Sequence, residues 1–439
     1  MISSVVFIII LIAGILLFTK NVSKIIRNIR LGKELDRNDN PALRWKTMAR
    51  VALGQSKMMV RPVAAFFHII IYVGFIIINI EVLEIIIDGV AGTHRIFSFM
   101  GSFYNFLIGS FEFLALGVLI ACIVFLARRN ILKLKRFWML EMTSWPRSDA
   151  NIILITEIAL MTFFLTMNAC DFLLQGRGEA HYIKAGAFPV SGLYAGLFQN
   201  FSNNGLELIE RSCWWAHIIG ILAFLNYVPY SKHFHIFLAF PNTYYSNLQA
   251  KGKFTNLESV TNEVKLMLDP SAAPPPIDAN SIPQKFGAKD VFDLTWKQLM
   301  DAYSCTECGR CTSVCPANLT GKLLSPRKIM MDTRDRLEEV GKNIDVNKVY
   351  KVYKEDGKSL LNDYILPEEL WACTTCNACV EACPVNIDPL SIIVDMRRFI
   401  VMEQSASPTE LNGMFTRMEN NGAPWAFSPS DRMNWVNSD

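Results

Sequence analysis

Two runs of cysteine carry the clearest chemistry in the chain. CTECGRCTSVCP supplies Cys305, Cys308, Cys311 and Cys315, followed by Pro316; CTTCNACVEACP supplies Cys373, Cys376, Cys379 and Cys383, followed by Pro384. Each is C-x2-C-x2-C-x3-C-P, the spacing that holds a cubane 4Fe–4S cluster, with three cysteines on one tight loop and the fourth ligating the other cluster. One cluster is therefore expected on Cys305, Cys308, Cys311 and Cys383, and a second on Cys373, Cys376, Cys379 and Cys315. A zinc site would be met by two C-x2-C pairs and has no use for the extra cysteine and proline in both copies. Disulfides are disfavoured, because eight of the eleven cysteines fall in these runs, in a region that the charge pattern assigns to a reducing compartment.

Histidine is the second group with chemistry. His68, His217, His233 and His235 lie within or at the inner ends of apolar stretches. The interval from His217 to His235 is 18 residues, five turns at about 3.6 residues each, so on one continuous helix the two share a face and His233 points about 160° away from His217. Pro229 makes that geometry approximate. Imidazole is a standard axial ligand to haem iron, bundle cores are standard haem sites, and an ionisable group inside a membrane is functional by default. No CxxCH occurs, which excludes a covalently attached haem on this sequence.

The elements that must position these residues follow from length and hydropathy. The chain has 439 residues, of which 51% are hydrophobic and 19% charged. That is too apolar for an ordinary soluble protein and excludes a disordered one. The net charge of +3 gives no basis for nucleic-acid binding. Five apolar stretches run over 2–18, 62–87, 105–127, 151–174 and 208–230, each near the ~20 residues that cross ~30 Å of hydrocarbon. The first lacks a basic leader and a small-residue cleavage site, so it reads as a retained anchor. Eleven basic residues (Lys20 to Arg61) follow the first stretch and six (Arg128 to Arg147) follow the third, against Arg95 alone after the second and Arg177 and Lys184 after the fourth. The positive-inside rule puts the N-terminus outside and everything after the fifth stretch in the cytoplasm, at the inner membrane.

Acidic residues gather toward the outer half: Glu81, Glu84, Asp88, Glu112, Asp171 and Glu210, with Glu157 nearer the inner side. One reading is interfacial placement or pairing with Arg95 and Arg211; the other is a proton path serving a quinone site. Cys122, Cys170 and Cys213 read as small buried hydrophobes.

The expected architecture is an all-α membrane protein, a five-helix transmembrane bundle followed by a cytoplasmic α-helical ferredoxin domain. Residues 1–240 form the haem and quinone domain. Residues 241–289 form an amphipathic segment and a proline-rich tether, PSAAPPPIDANSIP at 270–283, which cannot be a helix interior and separates two folding units. Residues 290–402 form the ferredoxin. Between its cysteine runs, SPRKIMMDTRDRLEEV, NKVYKVYKED and PEELWA read as helical, unlike the strands of a short bacterial ferredoxin, with Ser325-Pro326 as a helix start. Residues 403–439 form a tail that binds a partner.

A resemblance sharpens this reading. The five stretches resemble the di-haem gamma subunit of respiratory nitrate reductase. Phe67-His68-Ile69 is similar to that family's inner ligand on its second helix, and His217 and His235 in WWAHIIGILAFLNYVPYSKHFHI match the ligands of its fifth helix. The family's second helix carries another histidine ten residues on, where this chain has Ile78. The resemblance thus implies one complete haem b pair, His68 with His235, and leaves His217 as the holder of a second haem, a quinone-site residue or a structural remnant; His94 is a weak substitute ligand. Residues 290–402 resemble the small iron–sulfur (C-type) component of heterodisulfide reductase and the iron–sulfur subunits of glycolate oxidase and anaerobic glycerol-3-phosphate dehydrogenase, with WACTTCNACVEACPVNIDPLSIIVDMRR as the closest segment. The tail ENNGAPWAFSPSDRMNWVNSD is similar to the segment that leads into Cys-Cys-Gly domains in longer relatives; no CCG motif occurs in this chain, so that iron–sulfur partner is expected as a separate subunit.

The joined order resembles membrane-bound electron-transfer-flavoprotein:menaquinone oxidoreductases. It implies an oxidoreductase subunit passing electrons between a soluble partner, two 4Fe–4S clusters, b haem and menaquinone or another quinone. The soluble side would be the CCG-motif subunit, an electron-transfer flavoprotein, or both. Alternatives are the membrane subunit of a quinol-linked heterodisulfide or sulfur reductase, using the same carriers in the opposite direction, and a membrane redox sensor, for which no output domain is visible.

Overall fold

A computed structural model describes residues 2–250, 252–269, 285–347 and 352–436. Among them the regular elements are helices, and the only β pairing is two isolated bridges, Lys33 with Thr295 and Leu361 with Ile365. The tether at 270–283 lies outside the described residues.

Among the described residues, five helices are long and apolar enough to cross a membrane: α1 (Ile2–Ile29), α2 (Pro62–Ala91), α3 (Ser102–Asn130), α4 (Ser144–Arg177) and α5 (Asn203–Tyr227), the last continued by a 3-10 turn at Val228–Tyr230. Their ends follow local chemistry. Pro62 opens α2, where its missing N–H costs nothing. Gly92 and Gly178, at φ 74° and 76°, take the left-handed conformation that closes α2 and α4. Ser202 caps α5 by accepting from the Gly205 amide at 3.2 Å. In the bundle α4 packs on α3 and α5, α2 packs on α3, and α1 closes the ring against α2 and α5. Its core includes Phe7, Ile78, Phe111, Phe164, Trp214 and Ile218. Gly89 lets α1 approach α2 closely, since a Cβ there would fall 2.6 Å from the Phe7 ring. Ile9, Leu16, Phe66, Phe75, Phe106 and Phe113 remain exposed on the outer faces, the surface that a bilayer would solvate.

The second part is built from α6 (His235–Tyr244), α7 (Trp296–Ser304), α8 (Pro326–Val346), α9 (Pro389–Arg398) and short helices around the cysteines. Ser325 caps α8 as expected. NKVYKVYKED does not form a helix over its described residues, Asn347 and 352–356, and 348–351 lie outside the described residues. PEELW does, at Pro367–Trp371.

The ferredoxin region shares its core with the membrane helices. Leu299, Ile329, Leu337, Ile392 and Met396 pack in one cluster with Ile25 of α1, Val228 beyond α5 and Phe234. Each fully buried side chain of this kind contributes about 1.5–3 kcal/mol. α1 runs well past its apolar stretch, so Lys24 and Arg27 lie on the helix rather than in a loop, and both pair with Asp345 of α8. Asn28 donates to the Tyr303 hydroxyl at 2.9 Å. Lys33 exchanges backbone bonds with Leu294 and Trp296 at 2.7 and 3.0 Å. The basic segments after α1 and α3 thus meet the cysteine-bearing region directly.

The expectation of one continuous helix from His217 to His235 is overturned. Pro229 lacks an amide hydrogen, Ser231 is extended (φ −118°, ψ 151°), and Lys232–Phe234 form a separate 3-10 turn before α6 begins at His235. The helical-register argument for His233 therefore does not apply, and its ring lies 5.5 Å from that of His235.

Candidate functional site: cysteine loops above a histidine cluster

The two cysteine runs fold into near-copies of one another. Glu307 and Thr375, each two residues after the first cysteine, have φ of 54° and 56°; Gly309 and Asn377, two residues further, have 69° and 63°. Short helices follow at Arg310–Val314 and Ala378–Ala382, and Cys315 and Cys383 end them in the same extended conformation, φ −72° in both. Glycine and asparagine suit the left-handed positions; glutamate and threonine there are strained, as residues at ligand clamps often are.

Packing of these short helices brings the loops together. Cys379 and Cys383 line one recess with Cys305, Cys308 and Cys311, and Cys315 lies within charge range of Cys373 and Cys379. The sulfurs of Cys373 and Cys383 accept backbone amides at 3.4 and 3.3 Å. Burial pushes the Cys305 thiol up to about 11 and that of Cys383 up to about 12. The convergence of thiols from both runs is a donor set that suits cluster iron, which binds them as thiolates. Among the described residues, no three His, Cys, Asp or Glu side chains converge tightly enough to share one metal ion; thiolates around a cube of iron and sulfide stand further apart.

The first loop is clamped by the membrane helices' connecting segments. Arg310, between Cys308 and Cys311, donates to the Lys57 carbonyl at 2.9 Å, and Arg61 donates to Ser313 at 2.7 Å. Buried Arg327 pairs with Glu141 at 2.7 Å and donates to the Arg136 carbonyl at 2.6 Å. Glu307, between Cys305 and Cys308, pairs with Lys232 and, at 2.7 Å, with Arg334. Sequence reasoning does not single out any of these partners. Charged residues inside a cluster loop are the available signal, but their partners lie far along the chain.

Below this loop the histidines gather. His68 is within charge range of His235 and Arg310, and His233 of both His68 and His235. His235 Nδ1 lies 3.1 Å from the Lys232 carbonyl; donating there leaves Nε2 free, the arrangement of a metal-ligating imidazole. The buried Nδ1 of His68 has no partner. An orphaned ring nitrogen near a second imidazole fits a haem iron. His217 is elsewhere, buried on α5 with Nδ1 3.0 Å from the Leu160 carbonyl and its ring 5.9 Å from Phe164. Ile78 is buried in the bundle core.

At the far end of the bundle the acidic residues are mostly partnered. Asp171 pairs with Arg95 at 2.6 Å, Glu210 pairs with Arg211 and accepts from Tyr182 at 3.0 Å, and Glu84 accepts from Tyr104 at 2.9 Å. Asp88 accepts the Arg95 amide at 2.7 Å and Glu112 those of Val190 and Ser191 at 2.8 and 3.1 Å. Glu81 is the exception: Oε2 is buried without a partner and lines a small recess with His94. His94 lies there, 3.8 Å from Asp171. Glu157 is half-buried on α4, Cys122 and Cys170 are buried as expected, and Cys213 is half-buried.

The class this describes is a dicluster ferredoxin region carried on five membrane-length helices, and comparison with known proteins agrees. Residues 304–387 match the model of the 4Fe-4S dicluster domain. Over 99% of its length the chain is 27% identical to a probable iron-sulfur-binding oxidoreductase, FadF, of Bacillus subtilis, covering 60% of that protein. Over 92% it is 27% identical to an EtfAB:quinone oxidoreductase of Syntrophomonas wolfei, covering 55% of it. Over 26% it is 31% identical to the C-type component of a CoB–CoM heterodisulfide reductase of Methanosarcina acetivorans, covering 56% of that protein. The chain therefore spans under two thirds of the length of the two long relatives. No solved structure matches it significantly. The chain thus carries a 4Fe-4S dicluster domain behind five helices long and apolar enough to cross a membrane, and is distantly similar to iron–sulfur oxidoreductases.

Proposed function

We propose that the chain relays single electrons between a soluble redox partner and the membrane quinone pool. One 4Fe–4S cluster would sit on Cys305, Cys308, Cys311 and Cys383, the other on Cys373, Cys376, Cys379 and Cys315, and a b haem on His68 and His235. Bound there, these groups would supply reversible one-electron redox chemistry. The chain's own residues fix their spacing: the Arg327–Glu141 pair and the Arg310 contacts hold the first loop against the membrane helices, and the Lys232 carbonyl orients the His235 ring.

The observation that carries this reading is the stacking of sites. Lys232 pairs with Glu307 inside the first cysteine loop and its carbonyl lies 3.1 Å from His235 Nδ1, so the expected cluster and haem sites are neighbours. Similarity to the EtfAB:quinone oxidoreductase over most of the chain supports a flavoprotein-linked, quinone-reducing direction. The quarter-chain similarity to the heterodisulfide reductase component supports the opposite direction, toward a disulfide acceptor. The tail supports a separate partner: from Thr409 to Val436 no residue is buried, and Trp425, Phe427 and Trp435 are exposed. The shared side of the basic segments and the cysteine loops supports a cytoplasmic placement of the clusters.

The test is anaerobic reduction of the purified protein by a menaquinol analogue, followed by optical and EPR spectra. Reduction of a low-spin haem together with cluster signals is expected. A protein with its full iron–sulfur content and no haem band would overturn the haem arm and leave a ferredoxin anchored to the membrane.

A further inference from the structure

Lys232 touches both halves of the expected electron path with one residue. Its carbonyl accepts from His235 Nδ1 at 3.1 Å, and its amide donates to Asp149 at 3.1 Å. Its ammonium donates to the Pro146 carbonyl at 2.6 Å and pairs with Glu307. The pair is buried, with side chains 9% and 2% exposed. Asp149 is itself fixed by the Tyr227 hydroxyl at 2.5 Å, and Glu307 by Arg334 at 2.7 Å.

We propose that Lys232 and Glu307 form a charged element that sets the redox potential of the group on Cys305, Cys308, Cys311 and Cys383. This rests on the cluster and haem assignment above. In a region screened from water, a unit charge acts strongly on a neighbouring redox centre. Reduction adds negative charge to the centre, so the Lys232 ammonium favours it and the Glu307 carboxylate opposes it. Glu307 lies within the C-x2-C segment and its carboxylate is held by Lys232 and Arg334, so its charge stays in place as the centre is reduced. The same ion pair ties that segment to the turn that carries His235, which keeps the two expected redox sites in fixed register.

The experiment is an EPR-monitored redox titration of the intact, detergent-purified protein. Lys232→Met is expected to lower the potential of the first cluster and Glu307→Gln to raise it. Each shift should be at least tenfold in the oxidised-to-reduced ratio, about 59 mV for a one-electron couple. Lys232→Arg should restore the wild-type value, and the cluster of Cys373, Cys376 and Cys379 should not move in any variant. Shifts of the same sign in both variants, or none, would overturn the proposal and leave a merely structural ion pair. A wild-type protein with no cubane signal would instead sink the cluster assignment on which it stands. Should Lys232→Met fail to fold, the sign of Glu307→Gln against Lys232→Arg decides the matter.

Discussion

Cys383 stands within charge range of Cys308, on the wall of the same recess, although it belongs to the other cysteine run. The proposed ligand sets, each borrowing one cysteine from the other run, would make the two cluster sites mutually dependent. Cys315→Ser is expected to damage the cluster of Cys373, Cys376 and Cys379 while sparing the one next to it, and Cys383→Ser to do the reverse. Iron content should fall from about eight per chain in clusters toward about four in each variant. Loss of the Cys305, Cys308 and Cys311 signal on replacing Cys315 would show that each run ligates its own cluster.

Haem ligation separates the histidines. His68→Ala or His235→Ala should abolish the low-spin spectrum, because two imidazoles saturate the iron. His217→Ala should leave that spectrum intact, with quinone turnover as the second readout. A full haem spectrum without His235, together with its loss without His217, would mean that the pair is wrongly chosen.

Truncation addresses the tail. Removing residues 410–439 should abolish co-purification of the soluble iron–sulfur partner while both clusters persist, since Trp425 and Trp435 are exposed and aromatic anchors dominate interfaces. Equal yields of partner from the truncated and full chains would place the docking surface elsewhere.

The clamp between membrane loop and cluster loop should be pH-dependent. Burial pulls the Glu141 carboxyl up, but Arg327 and the Ser325 hydroxyl more than offset it, leaving it below its ordinary value of 4.5. A carboxyl depressed on folding contributes stability that is complete above its unfolded value and lost as pH falls through the folded one. Glu141→Gln should therefore cost about 2 kcal/mol at pH 7, seen as a lower Tm in detergent. The gap between variant and wild type should close only below pH 4.5, the ordinary carboxyl value. A gap that persists unchanged in strong acid would assign the effect to packing.

The sequence by itself determined the parts whose physics is local. Spacing within CTECGRCTSVCP and CTTCNACVEACP decides that each run is one tight loop, because three cysteines fall within seven residues of each. Apolar length decides the five long helices, and Ser325-Pro326 decides where α8 starts. Tertiary structure decided what depends on distant segments meeting. The break after Pro229 ends the helical register between His217 and His233, because a chain that loses an amide donor and then extends at Ser231 no longer carries angular register forward. The pairs of Lys232 with Glu307 and Arg327 with Glu141 join segments far apart in the chain, and no periodicity marks them. The same holds for the shared core of Ile25, Val228 and Phe234 with the ferredoxin helices: hydropathy assigns those residues to a membrane span or its edge, and only packing shows that they bury against protein instead.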